Sequence, residues 1–239
     1  MPLGNGVKLT WFGHATFRLE TPGGKRIMID PWMTGNPKCP QALQDPGDVD
    51  LILVSHGHSD HTTDVARLAK EKGAPVLCMM ELGAVFGSQG VENAVGFNKG
   101  GSHTAEGITV TLVDAHHSSS VEGDSGPIYT GEPAGMIIKL ENGYTIYFAG
   151  DTCVFGDMAL IGELYSPDLA MLPIGDFFTM GPFQAAKAVE LLGVKRVLGM
   201  HYGTFDALVG TPQALRDELG KRGLSDVTVE ELSPGDTLE

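Results

Sequence analysis

Four short apolar runs in this chain, residues 51–54, 109–113, 145–149 and 196–200, are each followed within four positions by a histidine or an aspartate: His56, His117, Asp151 and His201. Runs of that length read as buried strands. Strands that end at one edge of a sandwich deliver the residues after them to one rim, and such rim loops are where sites are built. The expected fold is therefore one of packed sheets whose strand ends gather in one place. The 33 glycines agree, since they favour tight turns and close backbone approaches over a helical bundle.

The rest of the chain fits the same plan. Residues 7–12 and 15–20 alternate apolar and polar side chains; after the turn signal Thr21-Pro22-Gly23-Gly24 the strand pattern resumes over 26–29. Residues 31–48, rich in Pro, Gly and Asn, read as a loop. Residues 62–72 have helical spacing and stop at Gly73-Ala74-Pro75; 76–79 reads as strand, 81–86 as a short helix, and 108–114 alternates. A second cycle follows. Residues 135–140 and 144–149 flank Glu141-Asn142-Gly143, a hairpin signal. Residues 169–172 read as strand, 182–192 as a helix opened by Pro182 and closed by Gly193, 196–200 as strand, 212–222 as helix and 227–230 as a last strand. Strands then helices, twice over, are satisfied by an α+β architecture of two sheets packed face to face with helices outside. No stretch of disordered composition divides the halves, so residues 1–239 read as one domain.

Charge and cysteine usage narrow the setting. There are 30 Asp plus Glu against 16 Lys plus Arg, a net charge of −14. A chain this acidic has no general pull toward nucleic acid or anionic membranes. A small anionic substrate is still open to it, because bound cations reverse the field locally. Cys39, Cys78 and Cys153 are odd in number and unpatterned, which suggests neither disulfides nor a cysteine zinc site and fits a reducing, cytoplasmic setting. No basic-then-apolar leader is visible, and no apolar run approaches the ~20 residues that span a bilayer.

The chemistry concentrates in Ser55-His56-Gly57-His58-Ser59-Asp60-His61, where three of the eight histidines fall within six residues. Imidazoles and a carboxylate suit Zn²⁺, Mn²⁺ or Fe²⁺. Gly57 permits a backbone shape that lets His56 and His58 point at one centre, while Asp60 and His61, being adjacent, diverge and can serve a second. The bland alternative is a polar helix start with solvated histidines; the density of ligand types argues for metal.

His-x-His-x-Asp-His after a strand resembles the signature of the metallo-β-lactamase superfamily. The other stations of that family also have counterparts here: the upstream acid Asp30 in Ile29-Asp30-Pro31, then His117 in Ala115-His116-His117-Ser118, Asp151 in Ala149-Gly150-Asp151-Thr152 and His201 in Met200-His201-Tyr202. More narrowly, Trp11-Phe12-Gly13-His14, Thr130-Gly131-Glu132-Pro133-Ala134-Gly135 and Leu172-Pro173-Ile174-Gly175-Asp176 resemble segments of a metal-dependent hydrolase branch related to the ascorbate-phosphate lactonase and to N-acyl-phosphatidylethanolamine phospholipase D. The resemblance implies a four-layer αββα sandwich and two divalent ions, Zn²⁺ or Mn²⁺ with Fe²⁺ or Ni²⁺ as other candidates. His56, His58 and His117 would hold one, and Asp60, His61 and His201 the other. Asp151 would bridge them, and a hydroxide between the ions would be the nucleophile, oriented by Asp60.

Other residues carry two readings each. His117 rather than its neighbour His116 is taken as the ligand, because the branch places its histidine before Ser or a small residue; His116 reads as a surface residue. His14 is either a substrate contact or proton donor, or a hydrogen-bonded structural histidine. Asp30 reads as an acid that supports a ligand rather than as a ligand. Asp176 is either such a supporting acid, the reading favoured here, or a cap. Phe178, Met180 and Tyr202 are candidates for an apolar substrate wall.

The implied activity is metal-dependent hydrolysis of phosphodiesters or phosphorylated small molecules. Hydrolysis of a lactone, carboxylic ester or thioester at the same site is the alternative. A nuclease is disfavoured by the charge. A di-iron oxygen-reducing role is disfavoured because such proteins carry a carboxylate where His58 stands. A non-catalytic, metal-binding regulatory protein would be expected to have lost ligands, and none of the seven is missing here. A small-molecule substrate is the expected partner, and the resemblance leaves a homo-oligomer open.

Overall fold

The computed structural model describes residues 3, 4 and 6–239. In the first half, strands β1 (Lys8–Gly13), β2 (Thr16–Glu20), β3 (Arg26–Ile29) and β4 (Leu51–Leu53) lead to helices α1 (Ser59–Thr62) and α2 (Val65–Lys72). Strand β5 (Val76–Met79), helix α3 (Met80–Ser88) and strand β6 (Ala94–Phe97) complete it. The second half runs β7 (Ser102–Ala105), β8 (Ile108–Asp114), β9 (Ser120–Gly123), β10 (Gly126–Tyr129), β11 (Ala134–Lys139) and β12 (Thr145–Phe148). It continues with α4 (Met158–Tyr165), β13 (Leu169–Pro173), α5 (Pro182–Leu192), β14 (Arg196–Met200), α6 (Pro212–Lys221), β15 (Thr228–Glu230) and β16 (Thr237–Leu238).

Two seven-stranded mixed sheets result, ordered β16-β1-β2-β3-β4-β5-β6 and β15-β14-β13-β12-β11-β8-β7. Each has an antiparallel part and a parallel part: β1, β2 and β3 pair antiparallel and β3 to β6 parallel, while β8, β11 and β12 pair antiparallel and β12 to β15 parallel. The two strands-then-helices cycles expected from the sequence are these two sheets.

Side-chain alternation sets the layers. In β12 and β13, Ile146, Phe148, Leu169 and Met171 belong to the core between the sheets. Their neighbours Tyr147, Ala170 and Leu172 belong to a second core under α4, α5 and α6. In β14, Leu198 and Met200 face one core and Val197 the other. Strands buried on both faces in this way must read as continuous apolar runs, which is why residues 145–149 and 196–200 stand out. The helix stops are equally local. Gly73 and Gly193 sit in the left-handed region at φ 70° and 67° and close α2 and α5. The Thr211 hydroxyl accepts from the Ala214 amide to open α6.

The structure departs from the sequence reading in places. The helix expected over 62–72 is broken into α1 and α2, with Asp64 between them. The stretch 118–133, to which no element was assigned from sequence, contains the hairpin β9–β10, in which Val121 faces Ile128. Helix α4 and edge strands β6, β7 and β16 were also unmarked. Met180 is fully buried in the second core and Tyr202 stacks on Trp11, so of the three candidate wall residues only Phe178 reaches a cavity.

Helix α4 lies against α5 at Gly162, where an added Cβ would meet the Leu192 backbone carbonyl. Gly162→Ala should therefore cost about 1–3 kcal/mol, a fall in Tm of about 5 °C for a chain of this size. Thermal unfolding followed by circular dichroism checks this; an unchanged Tm would mean the helices are not packed this closely.

Candidate metal centre

Strand direction explains where the chemistry gathers. Strands β1, β3 and β4 point the same way, as do β8, β12 and β14. His14 follows β1, Asp30 follows β3, and His56 follows β4, with His58 capping α1 and Asp60 and His61 within it. His117 follows β8, Asp151 follows β12 and His201 follows β14. The two rims are joined directly: the His201 amide donates to the His14 carbonyl at 3.0 Å.

The ligand-type atoms form overlapping groups, each with all atoms within 4.8 Å of one another: His56, His58 and His117; His14, Asp60, His61 and His201; and Asp30, His56 and His61. The first two groups are the two ligand sets anticipated from sequence, with His14 added to the second. Between them lies Asp151, whose Oδ2 is 3.1 Å from His201 Nε2, 3.5 Å from His61 Nε2, 3.6 Å from His117 Nε2 and 3.9 Å from His56 Nε2.

A second set of interactions holds these groups in place. Asp30 is fully buried; its Oδ1 accepts from the Ser55 amide at 2.7 Å, and its Oδ2 accepts from the Ser55 hydroxyl at 2.6 Å and from His61 Nδ1 at 2.7 Å. The Ser55 oxygen in turn lies 2.9 Å from His56 Nδ1. With Nδ1 committed on both rings, each Nε2 keeps its lone pair for the centre. His14 is also fully buried, with Nε2 3.1 Å from Asp60 Oδ2 and Nδ1 2.9 Å from the Thr204 hydroxyl. A carboxylate can only accept, so Nε2 donates to Asp60 and Nδ1 accepts from Thr204. Gly57 is required for space rather than for φ: a Cβ there would collide with the Thr130 hydroxyl and sit 3.1 Å from the Ser120 backbone.

The electrostatics fit a cation. Burial lowers the His14 pKa to about 4, against the pull of Asp60, and burial together with His61 holds His56 well below its ordinary value. Burial alone would lower His61, but Asp151 and Asp60 raise it well above the usual range. Burial alone would raise Asp151, but His201 and His61 hold it well below. Four buried atoms here, His61 Nε2, His201 Nδ1 and Nε2, and Asp151 Oδ1, make no well-aligned hydrogen bond, although His201 Nε2 lies close to Asp151 Oδ2. Orphaned buried polar atoms are costly. That three of them, with both formal signs, face the same ligand-rich point fits one or more divalent ions coordinated by this donor set.

The neighbouring residues divide clearly. His117 is 15% exposed and lines the main cavity, whereas His116 is half exposed, stacks on Phe155 at 4.5 Å and bonds Asp114. Asp176 is exposed and does not line the cavity; its Oδ1 accepts from the Phe177 amide, a turn-forming role in place of the supporting one expected. Trp32, Phe205 and Glu122 line the cavity and were not singled out in the sequence, because nothing in their local pattern sets them apart.

A beta-lactamase superfamily domain model matches residues 25–202, spanning all these stations but His14. The chain belongs to the metallo-β-lactamase superfamily. Within the superfamily it is 49% identical over 98% of its length, and 96% of the other chain, to a "UPF0173 metal-dependent hydrolase" of Rubrobacter xylanophilus. A homologue of the same description from Herpetosiphon aurantiacus is also 49% identical, over 95% of each chain. Among solved structures it is similar to Igni18, a metallo hydrolase from Ignicoccus hospitalis, with a TM-score of 0.84, 37% identity and 97% of both chains covered. An isothiocyanate hydrolase from Delia radicum gut bacteria shares the fold, with a TM-score of 0.73 at 22% identity over 97% of this chain and 98% of that one. This metallo-β-lactamase-fold chain is thus a metal-dependent hydrolase with a four-layer sandwich, and no helix among its described residues is long and apolar enough to cross a membrane.

If His117 is a ligand, His117→Ala should lower metal affinity by more than the roughly 10–100-fold that changes in supporting residues cost. Asp30→Asn should fall within that range, and His116→Ala should leave metal content unchanged. Elemental analysis of the three proteins after equilibration with limiting Zn²⁺ tests this. Loss of metal on His116→Ala would move the assignment by one residue.

Proposed function

We propose that this chain hydrolyses a phosphodiester with two divalent ions, Zn²⁺ or Mn²⁺, held by His56, His58 and His117 on one side and Asp60, His61 and His201 on the other, with Asp151 between them. The observation that carries the reading is the position of Asp151 Oδ2, within 4 Å of Nε2 atoms from both histidine sets. When bound, such ions supply a nucleophile from water near neutral pH and a Lewis acid for the scissile bond.

The protein's own groups then have distinct tasks. Asp60 lines the cavity, and its carboxylate is fixed by the His14 hydrogen bond, so it can orient the attacking water. Asp30 and Ser55 keep His56 and His61 turned toward the centre. In the reaction the water oxygen joins phosphorus, the bond from phosphorus to the leaving oxygen breaks, and the water proton ends on the leaving group.

A second reading, hydrolysis of a lactone, carboxylic ester or thioester, is favoured by one feature. Among the described residues, no Lys or Arg lines the cavity, so no protein cation is set to hold the phosphate charge that a carboxylic ester lacks, still less the second charge of a monoester. The same feature speaks against phosphorylated small molecules as the substrate.

Asp151→Ala should reduce metal-dependent turnover of a chromogenic phosphodiester by at least ~10³-fold, on the scale of removing a principal transition-state contact, and should lower the bound metal. Steady-state assays beside elemental analysis check it. Full activity in this variant would rule out a centre built around Asp151.

A further inference from the structure

The cavity beside the ligand cluster has a volume of about 890 Å³ and two unlike walls. One is the ligand rim. The other is apolar, drawn from Trp32, Phe205, Phe178 and Pro127 of the β9–β10 hairpin. Phe205 is 42% exposed and Phe178 53% exposed, each with much of its ring left open to solvent. Phe205 lies 6.0 Å from Trp32 and 5.7 Å from the His14 ring between centroids, so this wall begins where the ligand cluster ends. Single exposed aromatics are ordinary, but several lining one cavity next to a reactive centre mark a place that a ligand covers.

Charge is arranged just as unevenly. The ionisable side chains on the lining are Asp60, Asp151, Glu122 and three histidines, with no Lys or Arg among the described residues. The nearby Lys99 is held between Asp114 at 2.6 Å and Glu132 at 2.8 Å and does not reach the lining. No cationic side chain among the described lining residues is set to balance a second negative charge on a substrate, and Glu122 opposes one.

We propose that the substrate of this site carries an apolar arm, aryl or alkyl, seated against Phe205 and Trp32, and no more than one negative charge at its scissile group. This rests on the hydrolytic reading above and narrows it: diesters and carboxylic esters with a hydrophobic substituent fit, and dianionic phosphate monoesters do not.

The test holds the leaving group constant as 4-nitrophenolate. Metal-loaded protein is assayed with methyl 4-nitrophenyl phosphate, phenyl 4-nitrophenyl phosphate, 4-nitrophenyl acetate, 4-nitrophenyl phenylacetate and 4-nitrophenyl phosphate. The phenyl-bearing member of each pair should have a kcat/KM ~10-fold or more above its methyl counterpart, a step consistent with burying one ring. The monoester should fall ~100-fold or more below the diesters. Phe205→Ala should bring the phenyl-to-methyl ratio close to one. Independently of turnover, the neutral probe 4-nitrobenzyl alcohol should quench the tryptophan fluorescence of metal-free protein saturably, and this should be lost in Phe205→Ala and in Trp32→Phe. Turnover without arm preference, or a preference that survives Phe205→Ala, overturns the proposed seat and leaves hydrolysis standing. Monoester turnover equal to that of the diesters overturns the charge limit. Saturable quenching without turnover of any ester keeps the seat and removes the hydrolytic reading, and absence of both removes the two together.

Discussion

The site depends on one buried carboxylate. Asp30 is fully excluded from water, and burial alone pushes its pKa up. A lone carboxylate in such a place would cost several kcal/mol. Three donors oppose that cost: the Ser55 amide, the Ser55 hydroxyl and His61 Nδ1. Those same bonds do the organising. Through His61 it fixes a ring of one ligand set, and through Ser55 it fixes His56 of the other. One carboxylate at the end of β3 thus orients ligands at the end of β4 and inside α1, and the orientation of both sets depends on that single group.

The sheets supply the rigidity that this arrangement needs. His14, Asp30 and His201 all adopt left-handed backbone, with φ of 59°, 45° and 56°. Non-glycine residues there cost on the order of 1–3 kcal/mol each, and they persist only where their surroundings over-determine them. Here each follows the end of a buried strand, and His201 and His14 are tied by a backbone hydrogen bond across the two sheets. Three of the seven non-glycine residues with positive φ among the described residues thus turn toward the centre, and the apolar cores on both faces of the strands offset their strain.

What the sequence revealed follows from how local each signal is. His56, His58, Asp60 and His61 lie in one short segment, and His117, Asp151 and His201 each follow a strand buried on both faces, so pattern and position agree. The supporting role of Asp30 was legible for the same reason. The hairpin β9–β10 was not, because β10 is exposed along its whole length and carries Pro127, leaving no apolar alternation to read. The pairing of His14 with Asp60 and Thr204 joins residues 46 and 190 positions apart, which no local pattern encodes. Asp176 looked like a supporting acid because it follows the end of a buried strand, but its positive φ of 70° turns the chain and leaves the side chain exposed. Trp32 and Phe205 lie in irregular segments, and only tertiary packing makes them one wall.

The electrostatic plan of the centre also bears on how an acidic chain would act on the anionic substrate proposed for it. The carboxylates Asp60 and Asp151 raise the affinity of His61 for a positive charge, whether that charge is a proton or a metal ion. Asp30 already accepts from His61 Nδ1, so both compete for Nε2. A divalent ion wins that competition when further donors are aligned with it, and here His201 and Asp60 share the same group as His61. Bound divalent ions would therefore reverse the local field within a few ångströms, while the cavity walls beyond remain apolar or acidic. A substrate drawn into such a site must be attracted at its reacting atoms alone, and the rest of it must be matched by surface that carries no charge.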